Sequence, residues 1–210
     1  METTVGKVLD ALQARAWPHG SLTGLITLLL GVFLWSGWGH FTWMGTISAE
    51  GLDLAGALTT EQVDRGELWR LVASVLLHAG WIHLITNLLN IYVLGMFVLA
   101  LYGHRWTWLT FVVSGISGSL LTWALGTERT VGASGAIFGW IGMLLVIGWK
   151  YRAELQGEGG RLFRRTLLWW TVVSLVIGEL VPFIDNAAHI GGLLAGVAFG
   201  LMAGVRGLET

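Results

Sequence analysis

The chain lacks cysteine and has few charged residues, and both absences narrow what it can be. Without cysteine it has no disulfide framework and no thiol chemistry. Charged residues make up 12% of the sequence, against roughly 25% in soluble domains. The formal net charge is −1, so no basic surface is available for nucleic acid. These absences exclude a disulfide-stapled scaffold, a cysteine enzyme and a nucleic-acid-binding protein.

Apolar residues are abundant instead, at 54% of the chain. They recur in segments of about 17–25 residues, the length that crosses ~30 Å of hydrocarbon. The sequence therefore predicts an all-α polytopic membrane protein, with one membrane domain over 21–205, a short N-terminal segment over 1–20 and a tail over 206–210. Six spans are predicted: Ser21–Gly39, Trp81–Leu101, Trp106–Leu125, Ser134–Trp149, Thr166–Phe183 and Ala187–Val205.

The basic residues are distributed unequally between the two sides of the predicted bundle. Six crossings put both termini on one side, and that side carries Lys7, Arg15, Arg105, Lys150, Arg152, Arg161, Arg164, Arg165 and Arg206. The opposite side carries only Arg65, Arg70 and Arg129. Because basic residues favour the cytoplasmic side, we expect cytoplasmic termini.

Tryptophans and one long loop refine this picture. Most of the 13 tryptophans fall near span ends, as in an interfacial belt. Trp140 is the exception, and it is predicted to pack inside the bundle. The loop of about 41–70 lies on the outer side and mixes glycine, acidic and apolar residues. We interpret it as a partly embedded lobe rather than a flexible linker.

Ser134 opens the fourth predicted span within Gly132-Ala133-Ser134-Gly135. The span to Trp149 is about 24 Å long at ~1.5 Å per residue, so its first residue would lie below the outer surface. The N–H groups of its first turn lack intrahelical partners and could receive an oxyanion. Ser134 is then a candidate nucleophile. The alternative, favoured for this position taken alone, is an ordinary helix N-cap, a role that serine suits.

His189 opens the sixth span beside a ladder of small residues spaced four apart. The ladder comprises Ala188, Gly192, Gly196, Gly200 and Gly204, and span four has a matching set in Gly135, Gly139 and Gly142. Such stripes allow close helix packing. If the two stripes meet, Ser134 and His189 come within hydrogen-bond reach, as general-base activation requires. The alternative is an interfacial histidine beside a common packing motif.

His83 and Asn87 lie four apart and share one face of the second span. Both can donate hydrogen bonds to a developing oxyanion, and polar residues within a span call for an explanation. The alternative is a structural hydrogen bond between helices. His78 precedes this span, and we expect it to line a water entrance.

Two further arrangements of these polar residues remain open. A metal site of His78, His83 and His189 is disfavoured because His78 and His83 are five apart, off register for one helix face. Asp185 lies four residues before His189 and could orient the imidazole as a third triad member. A loop or capping role for Asp185 is preferred, which leaves a Ser134–His189 dyad.

Taken together, these residues resemble the rhomboid family of intramembrane serine proteases, over nearly the whole chain from the first span onward. Gly132-Ala133-Ser134-Gly135 is similar to the family's G-x-S-G motif, with Ser134 as nucleophile. Ala188-His189, followed by Gly192 and Gly196, is similar to its sixth-helix motif, with His189 as base. The joint order and spacing of these motifs are specific, although each one is short.

Three other positions extend or qualify the resemblance. His83 to Asn87 is similar to the H-x-x-x-N motif that supplies the family's oxyanion hole. Trp69-Arg70 resembles a structural W-R pair of the first outer loop. Many bacterial members have tyrosine four residues after the serine, where this chain has Phe138, so the ring that stacks on the histidine survives without its hydroxyl.

The resemblance implies a six-helix rhomboid-like bundle that hydrolyses peptide bonds in or near transmembrane segments. Its substrates would be single-span membrane proteins in the lipid bilayer, cut near the outer side. We expect no cofactor and no metal, and an integral protein of a bacterial inner membrane. The residues expected to line the site are Gly132, Ala133, Gly135, Phe138 and His78, and those expected to pack the helices are Gly139, Gly192 and Gly196.

Two other function classes are weighed against the protease. A catalytically silent rhomboid-like protein would bind membrane clients, but such relatives usually lack the serine or the histidine, and both are present here. A small transporter would carry mid-span charges and often an internal duplication. The sequence contains neither a mid-span charge nor a repeat.

Overall fold

A computed structural model of the chain describes residues 20–126, 129–153, 155–181 and 184–205. Within these ranges the chain forms helices and no strand, with a few isolated β-bridges. The predicted tail and all but the last residue of the predicted N-terminal segment lie outside the described residues. The helices are α1 (Gly20–Gly37), α2 (Ala49–Ala55), α3 (Thr60–Asp64), α4 (Arg70–Leu76), α5 (Trp81–Ala124), α6 (Ser134–Lys150), α7 (Glu158–Leu180) and α8 (Asn186–Met202).

The all-helical prediction is therefore confirmed for the described residues. In the part of the chain that the structure describes, two helices, α1 and α5, are long and apolar enough to cross a membrane. The apolar helices α6 and α8 are shorter, at 17 residues each. Helix α5 has 44 residues and is interrupted at Gly103, whose φ of 75° and ψ of 176° are not helical. Glycine adopts this left-handed φ without the steric cost that a side chain would add.

Two helix boundaries near basic residues differ from the predicted span ends. Helix α7 begins at Glu158, well before the predicted start at Thr166. Arginine is a good helix former, so the helix continues through the basic segment, and an acidic residue in its first turn suits the helix dipole. The second and third predicted spans join at Gly103 with no intervening loop. At Arg161, Arg164 and Arg165 the basic side chains therefore do not end the helix.

The segment from 41 to 70 is folded, as expected, and contains α2 and α3. Ser48 caps α2 by accepting a hydrogen bond from the Gly51 amide, and Thr59 caps α3 in the same way. Leu52 in α2 is buried, whereas Trp43 in the same lobe is 93% exposed. One part of the lobe is thus packed on protein, and another part is exposed.

Two arginines hold the lobe against the rest of the molecule. Arg70 is 5% exposed, and it donates hydrogen bonds to the carbonyl oxygens of Asp53 and Ala57, at 2.8 and 2.9 Å. It also forms an ion pair with Glu67. Arg129 forms a bidentate ion pair with the Asp53 carboxylate, with both N–O distances 2.7 Å. The contacts of Arg70 fix α4 to the lobe, and the Arg129 pair attaches the lobe to the segment that leads into α6.

Helix α6 is the central helix of the bundle and is buried along most of its length. Trp140 has no exposed surface, and its indole Nε1 donates to the Thr107 carbonyl oxygen at 2.9 Å. The prediction that Trp140 packs inside is therefore confirmed. Its buried N–H is satisfied by α5, which explains how an indole is accommodated in the core.

Helices α6 and α8 pack backbone to backbone along their glycines. A Cβ atom added at Gly192 would collide with the Gly135 carbonyl, and one at Gly196 would collide with the Gly139 carbonyl. A Cβ atom at Gly142 would also collide, at 2.5 Å, with the Leu193 carbonyl oxygen. This absence of side chains allows the two helix axes to approach and brings the N-terminal ends of α6 and α8 together.

Candidate active site

The side chains of Ser134 and His189 are in hydrogen-bond contact. Ser134 is the first residue of α6, and His189 lies in the first turn of α8. The distance between Ser134 Oγ and His189 Nε2 is 2.9 Å, within the range expected for a nucleophile and its base. His189 is only 6% exposed. In this geometry a neutral imidazole with an unprotonated Nε2 can accept a hydrogen bond from the serine hydroxyl.

The alternative role of Ser134 as a helix cap does not match the structure. Ala133 occupies the N-cap position of α6, and no side chain caps that end of the helix. Ser134 is already helical, and its hydroxyl contacts the imidazole instead. The first N–H groups of α6 therefore remain without a side-chain partner at the place where the serine oxygen lies.

Phe138 lies one helical turn after Ser134 and stacks on His189. The two ring centroids are 4.2 Å apart, and the ring planes differ by 9°. Phe138 is buried. The parallel stack restricts the rotation of the imidazole and keeps Nε2 directed at the serine.

Asp185 does not complete a triad. The Nδ1 atom of His189 is buried and has no hydrogen-bond partner among the described residues. The Asp185 carboxylate instead caps α8, accepting a hydrogen bond from the Ala188 amide at 3.1 Å. It also accepts hydrogen bonds from the hydroxyls of Thr122 and Thr130. This is the geometry of a cap and an anchor.

Gly132 brings the segment before Ser134 against His83. Its φ of 128° is one that residues with side chains rarely adopt, and a Cβ there would lie 2.7 Å from the Nε2 of His83. The Gly132 amide donates to the Ser74 carbonyl oxygen at 2.9 Å. His83 is therefore placed beside the backbone two residues before the serine, and only glycine leaves room for its ring.

Asn87 is 4% exposed on the same face of α5. Its amide nitrogen donates to the His83 carbonyl oxygen at 3.0 Å. An amide group has two N–H donors, so one remains for another acceptor. The structure thus brings His83 to the serine segment, while the Asn87 side chain is held by its own helix.

His78 differs from the expectation that it lines a water entrance. It has no exposed surface, and its ring packs edge to face against His83, with centroids 5.1 Å apart. Burial, with the neighbouring His83 as a second cause, lowers the pKa of His78 to about 3, so its imidazole is neutral near pH 7. Within the described ranges, no three histidine or carboxylate side chains group closely enough to hold a metal ion.

Sequence reasoning missed several residues that surround the start of α8. Thr122 and Thr130 bind the Asp185 carboxylate. Gly118 lies against the Ala188 carbonyl, and the Ser117 hydroxyl donates to the Gly191 carbonyl oxygen at 3.0 Å. A weak signal existed only for the small residues of α5, which allow close packing. Nothing in the order of the sequence pairs the two threonines with an aspartate more than fifty residues away.

Comparison with known proteins identifies a family match over most of the chain. The family model described as the Rhomboid domain matches residues 65–206. Ser134, His189, His83 and Asn87 all fall inside that range. The matched range also includes the end of the outer lobe and helices α4 to α8, so the family pattern covers the elements that build the site.

Similar curated proteins come from a plant and a bacterium. RHOMBOID-like protein 5 of Arabidopsis thaliana is 36% identical over 157 residues, which is 72% of this chain and 49% of the relative. Rhomboid protease GluP of Bacillus subtilis (strain 168) is 35% identical over 156 residues, which is 72% of this chain and 29% of the relative. The matched part of the chain thus spans about half or less of the length of these relatives.

Proposed function

The chain belongs to the rhomboid family, and from that premise we propose that it is an intramembrane serine endopeptidase. It hydrolyses peptide bonds in or near transmembrane segments, with Ser134 as nucleophile and His189 as general base. The observation that carries this proposal is the 2.9 Å contact between Ser134 Oγ and His189 Nε2. A silent client-binding relative has no need of this pair, and the transporter reading gains no support from it.

The proposed reaction proceeds through an acyl-enzyme. His189 Nε2 accepts the proton of Ser134 as the serine oxygen attacks the scissile carbonyl. The resulting imidazolium donates that proton to the leaving amine when the C–N bond breaks. A water molecule then attacks the ester and loses a proton to His189, which passes it to Ser134 Oγ as the C–O bond breaks, so that the acid product and free serine are released. Phe138 orients the imidazole during these steps through its stacked ring.

The developing oxyanion requires donors near Ser134. The unpaired backbone N–H groups at the start of α6 supply one set, assisted by the helix dipole. His83 and the second amide proton of Asn87 supply the side-chain donors. The contact of His83 with Gly132 supports this assignment, because it holds the imidazole beside the backbone that leads to the serine.

We propose six membrane crossings, with α1, the two parts of α5, α6, α7 and α8 as the spans. The interruption at Gly103 supports two crossings within α5. Residues 21–205 then form one membrane domain, with both termini cytoplasmic and the site open to the outer side. Single-span membrane proteins would be the substrates. A bacterial cytoplasmic membrane fits this minimal architecture and the relative named Rhomboid protease GluP from Bacillus subtilis.

Labelling with a fluorophosphonate probe tests the proposal. The purified wild-type protein is expected to label, and Ser134→Ala is expected not to label. The rate of labelling should fall at least about 1,000-fold in His189→Ala, as for other serine–base pairs. Each variant is also assayed for cleavage of a single-span protein in proteoliposomes, with a product fragment cut near the outer border.

Ser36→Ala is the matched control. Ser36 is a buried serine in α1 that donates only to the Phe33 carbonyl oxygen of its own helix. This variant should label and cleave at the wild-type rate. A folded wild-type protein that stays unlabelled where a known rhomboid protease labels would overturn the proposal.

A further inference from the structure

One carboxylate connects three parts of the molecule around the candidate site. The Oδ2 atom of Asp185 accepts hydrogen bonds from Thr122 Oγ1 at 2.6 Å and from Thr130 Oγ1 at 2.5 Å. Its Oδ1 atom accepts the Ala188 amide at 3.1 Å. Thr122 belongs to the last turn of α5, Thr130 to the segment before α6, and Ala188 to the first turn of α8. We call Asp185 with Thr122 and Thr130 the Asp185 clamp.

The clamp lies at matching positions on the two segments that carry the dyad. Thr130 is four residues before Ser134, and Asp185 is four residues before His189. The Thr130–Asp185 hydrogen bond therefore connects the same two segments as the Ser134–His189 hydrogen bond. Thr130 is itself fixed by a backbone bridge to Leu58 in the outer lobe. Along both segments, the Thr130–Asp185 contact lies before the dyad, and the glycine contacts between α6 and α8 lie after it.

The imidazole needs such an anchor because its other nitrogen is not held. His189 Nδ1 is buried without a hydrogen-bond partner among the described residues. Its position then depends on the Phe138 stack and on where the first turn of α8 begins. Asp185 determines that beginning, since its carboxylate caps the Ala188 amide and its backbone oxygen accepts from the His189 amide.

The hydrogen bonds of the Asp185 clamp are well suited to fix the relative position of the segments that carry Ser134 and His189. Thr122 has no exposed surface and Thr130 is 9% exposed, so water competes little for either hydroxyl. Hydrogen bonds to a charged acceptor are shorter and stronger than those between neutral groups. Loss of either hydroxyl leaves the half-buried carboxylate short of a donor, and we expect the start of α8 to shift as the carboxylate seeks another partner.

We propose that Asp185 is a positioning residue that sets the distance between Ser134 and His189 through Thr122 and Thr130. This rests on the proposed function, because it concerns the same dyad. The carboxylate acts through the start of α8 and the segment before α6, and it makes no hydrogen bond to the imidazole. In a triad the aspartate would contact the histidine ring directly.

The first experiment measures cleavage and fluorophosphonate labelling in Thr130→Val, Thr122→Val and Asp185→Ala. Valine keeps the volume of threonine and removes the hydroxyl. We expect kcat and the labelling rate to fall together by about 10- to 100-fold, because a displacement of ~1 Å costs about 100-fold. The KM should change by less than about twofold, since the clamp does not contact substrate. Thr130→Ser restores the hydroxyl and should restore most of the rate.

Thr107→Val is the matched control for loss of a buried threonine hydroxyl. Thr107 has no exposed surface, and its hydroxyl donates to the Gly103 carbonyl oxygen within α5. It should keep the wild-type kcat and labelling rate. If Asp185→Ala does not fold, the two valine variants and the Thr130→Ser rescue decide the question.

A second readout does not depend on proteolysis. The chain has no cysteine, so Ser134→Cys introduces a single thiol beside His189. An imidazole in contact accepts the thiol proton and speeds alkylation by iodoacetamide. The rate should therefore exceed that of Ser134→Cys/His189→Ala. Adding Thr130→Val to Ser134→Cys should remove most of this excess, and adding Thr107→Val should leave it.

These outcomes separate the two proposals. If the wild-type protein is not labelled, but the alkylation rate of the Ser134→Cys thiol still depends on His189 and Thr130, the protease proposal is overturned and the clamp remains supported. If the wild-type protein is labelled, the clamp proposal is overturned when Thr130→Val has the same kcat, labelling rate and alkylation rate as Thr107→Val. The clamp is also overturned if Thr130→Ser is as slow as Thr130→Val, or if only KM rises.

Discussion

The ring of Phe138 lies parallel to the imidazole of His189, with centroids 4.2 Å apart and planes 9° apart. One histidine nitrogen contacts the serine, and the other is buried without a partner among the described residues. Aromatic stacking thus takes part in a task that a carboxylate performs in a triad. The hydroxyl that a tyrosine would add is not needed for this contact.

Replacement of Phe138 tests the stack. Phe138→Leu should lower kcat about 2- to 10-fold, because an aromatic pair contributes ~0.5–1.5 kcal/mol beyond its buried area, at about 1.4 kcal/mol per tenfold in rate. Phe138→Tyr keeps the ring and should stay near the wild-type rate. Phe97→Leu, in an aromatic pair with Phe163, is the control in the same cleavage assay. Equal rates for Phe138→Leu and wild type would show that the stack does not orient the base.

The backbone contact between α6 and α8 should not tolerate a methyl group. In Gly192→Ala the Cβ atom meets the Gly135 carbonyl, which is backbone and cannot rotate away. We expect a loss of at least about 1–3 kcal/mol in the free energy of unfolding, typical of overpacking, together with loss of cleavage as the helices separate. Unfolding in mixed detergent micelles measures the first quantity.

Gly31→Ala is the control for that change. Gly31 lies in α1 with open space around its Cα, and alanine is favoured over glycine within a helix by roughly 0.5–1 kcal/mol. This variant should unfold no more easily than wild type and should cleave normally. A Gly192→Ala protein that behaves in the same way would contradict the close packing.

Asn87 and Asn90 are a matched pair of positions for testing whether Asn87 donates a hydrogen bond to the oxyanion. Each amide nitrogen donates to the carbonyl oxygen four residues earlier in α5, so both substitutions remove the same local hydrogen bond. Asn87→Ala should lower kcat about 100- to 1,000-fold, as expected for loss of an oxyanion donor. Asn90→Ala should retain activity. Similar losses in both variants would indicate a helix effect rather than transition-state stabilisation.

Arg70 should not be replaceable by lysine. Its guanidinium donates to two carbonyl oxygens and pairs with Glu67, and a lysine cannot reproduce this planar set of donors. Arg70→Lys should cost about 2–4 kcal/mol in the free energy of unfolding. Arg65→Lys, at a pair whose Arg65 side chain is 68% exposed, should cost less than about 1 kcal/mol. A cost at Arg70 no larger than at Arg65 would refute this role.

The absence of cysteine allows a direct test of the proposed orientation. Glu50→Cys introduces an exposed thiol in the outer lobe, and Glu158→Cys introduces one at the start of α7. In intact cells, with the outer membrane permeabilised where there is one, a membrane-impermeant maleimide should label the first and not the second. Lysis should make both reactive. Labelling of Glu158→Cys alone before lysis would reverse the topology.

Much of the fold followed from patterns that are local along the chain. Long apolar segments identify helices because a helix satisfies its own backbone hydrogen bonds in an apolar environment. Helix ends were less predictable, as at Glu158, since a charged side chain does not stop helical hydrogen bonding. The placement of Trp140 inside the bundle was predicted correctly because it lies far from either span end, where a belt residue is expected.

The sequence paired Ser134 with His189, whose side chains are in contact in the structure, but it did not predict the residues that support them. Glycine at fixed intervals indicates a close helix pair, and this spacing led from Ser134 to His189. The burial of His78 was missed because exposure depends on how the segment before α5 packs. The partners of Asp185 were missed because a hydroxyl and a carboxylate have no spacing rule across loops.

The sequence by itself determined that the chain is helical and apolar and that it carries the serine, histidine and asparagine of the rhomboid motifs. Those properties depend on residue type and on short intervals, which the order of residues states directly. Only the tertiary structure decided that Asp185 anchors the start of α8 instead of the imidazole, and that Phe138 lies flat on His189. Such contacts join residues far apart in the chain, and their distances exist only once the helices have packed.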